Sequence, residues 1–121
     1  MRSLALISFA AFLVSCGGSG SNTTGTTTTP TVPATPVVTT SVSLQNLAFS
    51  PASIEVSPGA VVTFTNNDGG TKHNVTFANT AVGTTSDFTS GSKTLTMPAA
   101  TGSYAYRCTI HSGMSGTVAV K

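Results

Sequence analysis

Residues 104–121 read YAYRCTIHSGMSGTVAVK, a stretch that predicts two strands joined by a tight loop. Tyrosine and valine favour strands at 104–108 and 116–121, and Gly113 and Gly116 allow a short loop between them. Upstream, residues 60–66 alternate in the same way, with Val62 and Phe64 on one face and valine or threonine on the other. A period of two residues is typical of a half-buried strand.

Turn signals separate further short strands along the chain. Residues 41–49 alternate with a shift near Asn46, which we interpret as a β-bulge. Other runs of strand character lie at residues 53–56, 73–77 and 92–97. Seven to eight strands in about 80 residues predict an all-β fold, a Greek-key β-sandwich.

Length and charge limit the possible functions. The chain has 121 residues, enough for one domain, and only 7% of them are charged, with a formal net charge of +2. It has no basic block of the kind that binds nucleic acid. The acids are Glu55, Asp68 and Asp87, and their spacing suggests no catalytic pair. We therefore expect no enzyme and no nucleic-acid partner, and we expect a monomer.

The N-terminus predicts export. Residues 4–14 read LALISFAAFLV and follow Arg2; as a helix they span about 16 Å, far short of the roughly 30 Å hydrocarbon core. This is typical of a signal peptide. The run LVSC at residues 13–16 resembles a bacterial lipobox, which implies cleavage after residue 15 and lipidation of Cys16. The alternative is ordinary cleavage nearby, which leaves Cys16 free or paired with Cys108.

These signals divide the chain into three segments: a lipoprotein signal peptide at 1–15, lipidated Cys16 and a disordered tether at 16–40, and a folded domain at 41–121. The tether prediction rests on a composition of Gly, Ser, Thr and Pro without charge or aromatic residues, which cannot build a core. The expected location is the periplasm or cell surface, with the chain anchored by lipid to a bacterial membrane.

Four side chains point to a metal. Cys108, His111 and Met114 share one loop, and His73 lies 35 positions before Cys108 at the start of a predicted strand. Two histidines, a thiolate and a weak axial methionine are the ligand set of a type 1 copper site. Each residue alone has an ordinary structural explanation, and it is the combination that favours copper. Zinc prefers four firm ligands, and a Cys–His protease would need an orienting partner that is not evident.

Residues 41–121 resemble the cupredoxins, the type 1 blue copper proteins, and among them the plastocyanin, pseudoazurin and amicyanin group. The Cys-x2-His-x2-Met spacing is similar to the short amicyanin-like loop, although Ile110 and Ser112 flank His111 where a proline is usual. The resemblance is carried by Phe49-Ser50-Pro51, Pro58-Gly59, His73-Asn74-Val75, Tyr106-Arg107-Cys108-Thr109-Ile110-His111 and Met114.

The resemblance implies a cupredoxin-like sandwich with one type 1 copper. It implies that His73 and His111 bind the metal through Nδ1, Cys108 through its thiolate and Met114 through its thioether. Asn74 would tie the histidine-bearing strand to the cysteine loop, the kind of contact that orients ligands.

These expectations combine into a periplasmic one-electron carrier that cycles between Cu(II) and Cu(I). A redox-protein donor and acceptor would dock transiently near His111 and Ile110, as small redox encounters do. One alternative is a copper carrier or buffer that delivers or sequesters the metal, which additional Met or His near the site would favour. Another is a metal-free adhesive sandwich displayed on a Thr-rich stalk.

Overall fold

The computed structural model describes residues 35–121. The predicted signal peptide, the lipidation at Cys16 and the tether up to residue 34 lie outside these residues and stay predictions. No helix within 35–121 is long and apolar enough to cross a bilayer. The described residues form nine strands: β1 Val37–Val38, β2 Ser41–Gln45, β3 Ala48–Ser50, β4 Ser53–Val56, β5 Val61–Asn66, β6 Thr76–Phe77, β7 Gly91–Thr96, β8 Gly102–Arg107 and β9 Ser115–Val120.

The strands form two sheets, in the orders β1-β4-β9-β8-β6 and β3-β2-β5-β7. Three pairings are parallel: β1 with β4, β2 with β5, and β4 with β9. The pairs β8–β9 and β5–β7 are antiparallel over six residues each. The prediction of an all-β sandwich is confirmed.

The core lies between the sheets and centres on four aromatic rings. Phe64 of β5 is fully buried, and it meets the rings of Phe49, Phe77 and Tyr106 edge to face with centroids 5.4–6.4 Å apart. Burial of such a side chain contributes about 1.5–3 kcal/mol, so this cluster is a major source of stability. Burial also raises the pKa of Tyr106, which keeps its phenol neutral.

The chain reverses at Asn46 instead of bulging there. β2 and β3 pair antiparallel with Gln45 opposite Ala48, and the two residues between them have φ values of 54° and 56°. Positive φ at both central positions is the geometry of a two-residue type I′ turn. The bulge prediction is therefore wrong. Asn46 suits this conformation, but Leu47 does not, so the usual turn signal is only half present.

The first strand falls in a segment for which composition predicts a tether. Val37 and Val38 add to the sheet edge in parallel with Ile54 and Glu55. Both valines stay exposed, at 48% and 80%, so backbone hydrogen bonds rather than burial hold the strand. Backbone pairing leaves little trace in composition, which is why the predicted domain starts at 41 while the first strand starts at 37.

Candidate metal centre

The loop between β8 and β9 carries three of the predicted ligands. A backbone hydrogen bond of 3.0 Å from the Cys108 N–H to the Met114 carbonyl closes it. Gly113 has a φ of 81°, a conformation that few other residues adopt cheaply. Cys108 and Met114 are buried at the two ends of this loop, with 4% and 2% exposure.

His73 reaches the loop from a separate part of the chain. The predicted strand at 73–77 is shorter than expected, because only Thr76–Phe77 is a regular strand. His73 itself forms an isolated bridge with Phe88, with reciprocal backbone hydrogen bonds of 3.0 and 2.9 Å. Its side chain is fully buried, so both its backbone and its ring are fixed in position.

Three donor atoms converge on one point. The Nδ1 atoms of His73 and His111 are 3.2 Å apart, and they lie 4.0 and 3.7 Å from the Cys108 sulfur. The centre of that triangle is about 2.1 Å from each corner, close to the 2.0–2.3 Å of typical metal–nitrogen and metal–thiolate bonds. The residues present therefore fit a metal of copper's size, and the soft sulfur with two imidazoles suits both copper oxidation states.

Exposure differs among the four predicted ligands. His73, Cys108 and Met114 are buried, whereas His111 is half-buried and its neighbour Ile110 is 41% exposed. Among residues 35–121, the surface over this centre is thus formed by the His111 side of the loop, which also lines a cavity with Cys108 and Met114.

Asn74 joins the two segments that carry the donors. Its amide donates to the Thr109 hydroxyl at 2.8 Å and accepts from the Thr109 backbone N–H at 2.9 Å. The same amide also donates to Asp87 at 3.0 Å. These bonds hold the residue after His73 against the residue after Cys108, and so keep the sulfur and the imidazole at a fixed separation.

Asp68 is a part of the site that sequence reasoning missed. Its Oδ2 lies 2.9 Å from His73 Nε2, and its two oxygens accept the backbone N–H groups of Asn46 and Leu47 at 3.1 and 3.2 Å. The hydrogen bond with His73, followed by the one from Leu47, holds the pKa of Asp68 below its ordinary value. In the sequence, the only indication of this role is weak: Asp68 is an acid in a glycine-rich turn, five residues before a candidate ligand.

Comparisons with known proteins agree with this geometry. A family model described as copper binding proteins, plastocyanin/azurin family, matches residues 36–121. A fern plastocyanin mutant, known in oxidized and reduced structures, is 28% identical with a TM-score of 0.60, over 67% of this chain and 99% of its own. A reduced amicyanin mutant is 25% identical with a TM-score of 0.59, over 67% and 80%.

A purple cupredoxin from Nitrosopumilus maritimus shares the fold, with 22% identity and a TM-score of 0.59 over 67% of this chain and 98% of its own. No curated protein matches the chain.

Proposed function

The chain belongs to the plastocyanin/azurin family of copper-binding proteins, its residues fit a single type 1 copper site, and we propose that it carries one electron at a time between redox partners. The observation that carries the proposal is the close convergence of the His73, Cys108 and His111 donors. Copper held by these residues supplies a one-electron Cu(II)/Cu(I) couple.

The residues around the centre favour electron transfer because they resist rearrangement. Hydrogen bonds of 2.8–3.0 Å hold the segments that carry the donors. They form the His73–Phe88 bridge, the Cys108–Met114 loop closure and the Asn74–Thr109 pair. A site whose donors keep the same positions in both oxidation states adds little reorganisation to each electron transfer. Such fixed positions come from the hydrogen-bonded shell around the ligands.

Electrons enter and leave through the His111 side of the loop in this proposal. Support comes from the half-buried imidazole and the exposed Ile110 beside it, a small apolar contact surface that suits brief docking of a donor and then an acceptor. The protein acts as a monomer. Lipid attached to Cys16 would hold it at a bacterial membrane, facing the periplasm or the outside, with the Gly/Ser/Thr/Pro-rich segment after Cys16 as a tether.

The deciding experiment combines an absorption spectrum with voltammetry of the copper-loaded full chain. We expect an intense thiolate-to-copper band in the visible range and a reversible one-electron wave. Cys108→Ser serves as the matched control, because it replaces the thiolate by a hydroxyl of similar shape and should remove the band. A colourless copper-loaded chain, or an irreversible wave, would refute the carrier proposal.

A chelator challenge distinguishes an electron carrier from a protein that delivers or sequesters copper. An electron carrier keeps its copper, since His73, Cys108 and Met114 are buried and the segments that carry them are hydrogen-bonded in place. Loss of the metal to a weak chelator within seconds would instead favour delivery or sequestration of copper.

A separate experiment tests the lipid anchor. A labelled fatty acid should be incorporated into the wild-type chain and not into Cys16→Ser.

A further inference from the structure

The imidazole of His73 has two nitrogens with different neighbours. Nδ1 faces the Cys108 sulfur and His111 Nδ1, at 4.0 and 3.2 Å, while Nε2 faces the Asp68 carboxylate at 2.9 Å. A carboxylate only accepts hydrogen bonds. Nε2 therefore carries the proton, and the lone pair of Nδ1 points at the metal position. The carboxylate selects the tautomer that can bind a metal.

Asp68 is itself held in place by the β2–β3 turn. The N–H of Asn46 donates to Oδ1 at 3.1 Å, and the N–H of Leu47 donates to Oδ2 at 3.2 Å. Both residues have positive φ, and this aims two successive amides at one carboxylate. The Asp68 backbone is fixed as well, with its N–H bonded to Asn66 Oδ1 at 3.0 Å. The carboxylate is only 16% exposed, so it cannot turn away from His73 without losing several bonds.

Within the described part of the chain, the Asp68 carboxylate is the acceptor that the His73 Nε2–H finds. The ring has no exposed surface, and Asp68 is its hydrogen-bond partner on that side among residues 35–121. A buried donor without an acceptor carries the full desolvation penalty. The arrangement is a carboxylate–histidine pair behind a metal position, which orients the ring and makes its other nitrogen a stronger donor.

We propose that Asp68 is a positioning residue for the copper centre: it fixes the metal-binding tautomer of His73 and, by its negative charge, favours Cu(II) over Cu(I). The proposal rests on the copper-carrier function proposed above and assigns a part of its tuning. A negative charge one imidazole ring away stabilises the more positive oxidation state. The hairpin turn at Asn46 and Leu47 thereby takes part in setting the reduction potential, although it touches no ligand.

The test compares three variants of the full chain with the wild type. Asp68→Asn removes the charge and keeps the shape, and Asp68→Glu keeps the charge. Glu55→Gln makes the same change in net charge away from the site, where Glu55 pairs with Lys121. Competition with chelators gives the Cu(II) and Cu(I) affinities, voltammetry gives the potential, and nitrogen NMR of the metal-free chain gives the His73 tautomer.

We expect Asp68→Asn to weaken Cu(II) binding about 10–100-fold, the usual effect of removing such a partner. The fold-loss of Cu(I) affinity should be about ten times smaller than the fold-loss of Cu(II) affinity. This difference raises the reduction potential by about 59 mV for a one-electron couple. Asp68→Glu and Glu55→Gln should keep the ratio of the two affinities within about threefold of wild type, even where Asp68→Glu lowers stability. The wild-type chain should show the proton of His73 on Nε2.

Several results would overturn the proposal. One is an Asp68→Asn chain that unfolds more easily but keeps the wild-type affinity ratio, since this is what a purely structural loop bond would give. Another is a wild-type His73 protonated on Nδ1. If Asp68→Asn fails to fold, a tenfold change of the ratio in Asp68→Glu would also refute the role of the charge. Failure of the carrier function would show separately, as a wild-type chain without a reversible couple.

Discussion

A single methyl group at Gly116 should force β8 and β9 apart. Gly116 lies opposite Tyr106 in this pair, and a Cβ there would sit 2.4 Å from the Tyr106 Cζ, 2.5 Å from its hydroxyl and 2.6 Å from the Ala52 carbonyl oxygen. Carbon atoms in contact prefer about 3.5–4.0 Å. Gly116→Ala therefore requires a displacement of about 1 Å in its surroundings.

Neither neighbour of Gly116 can give way easily. The Tyr106 ring is held by Phe49, Phe77 and Phe64, with centroids 4.8, 5.1 and 5.4 Å away. The Ala52 carbonyl is backbone and accepts the Thr117 N–H at 2.8 Å. Overpacking typically costs 1–3 kcal/mol, and each disturbed aromatic pair adds about 0.5–1.5 kcal/mol.

We expect Gly116→Ala to lower the free energy of unfolding by about 3 kcal/mol, even after the smaller unfolded-state entropy of alanine is counted. For a domain of this size the loss corresponds to a fall in Tm of about 12–24 °C. Urea and thermal unfolding of the metal-free chain measure both values. Ser115→Ala, at the exposed neighbouring position, should change stability by less than about 0.5 kcal/mol. A Gly116→Ala chain as stable as that control would refute the argument.

Three further predictions concern the core, the hairpin and the metal. Phe64→Ala should lower the free energy of unfolding by about 4 kcal/mol in urea titrations, because it empties the centre of the aromatic cluster. Leu47→Gly should raise the free energy of unfolding by about 0.5–1 kcal/mol. A leucine in the left-handed conformation is strained by about 1–2 kcal/mol, and part of the relief is offset because glycine loses more conformational entropy on folding. Copper at a hundredfold excess over its Kd should raise the free energy of unfolding by about 2.7 kcal/mol, and His73→Ala should remove most of this increment.

Each of these predictions has a matched control and a contrary result. Val61→Ala, at a 51% exposed position of the same strand as Phe64, should have little effect, and equal losses at both positions would contradict the core assignment. Ala48→Gly should destabilise the chain next to the hairpin turn, where Leu47→Gly stabilises it. A copper increment that is undiminished in His73→Ala would place the metal elsewhere.

The strands and the donor loop follow from local pattern. The alternation at Val62 and Phe64 predicts a strand whichever partners it finds, and the short spacing from Cys108 to Met114 brings sulfur and imidazole together in any tight loop. His73 is harder to place, because its position depends on a backbone bridge to Phe88 that no local period reveals. Its ligand role is predicted by its combination with Cys108, His111 and Met114 as a copper ligand set, by its β context and by resemblance.

Asp68 and β1 escape prediction for a shared physical reason: both depend on backbone groups far away in the chain. Asp68 is positioned by the Asn46 amide, 22 residues upstream, and that amide belongs to a turn with positive φ at Asn46 and Leu47. Val38 pairs with Glu55 through backbone alone. Neither backbone contact affects composition or side-chain periodicity, so both contacts are visible only in the folded structure.

The place of β9 in its sheet bears on how the domain forms. β9 follows every other described strand in the chain, yet it lies at the centre of its sheet between β4 and β8. Ser53 pairs with Thr117 across 64 positions, and pairings between distant segments are slow to form because a long loop must close first. During synthesis, β4 and β8 therefore cannot pair with β9, the strand between them, until β9 has been synthesised. We therefore expect the five-stranded sheet to be completed late, because a chain interrupted before β9 would lack the middle of this sheet rather than its edge.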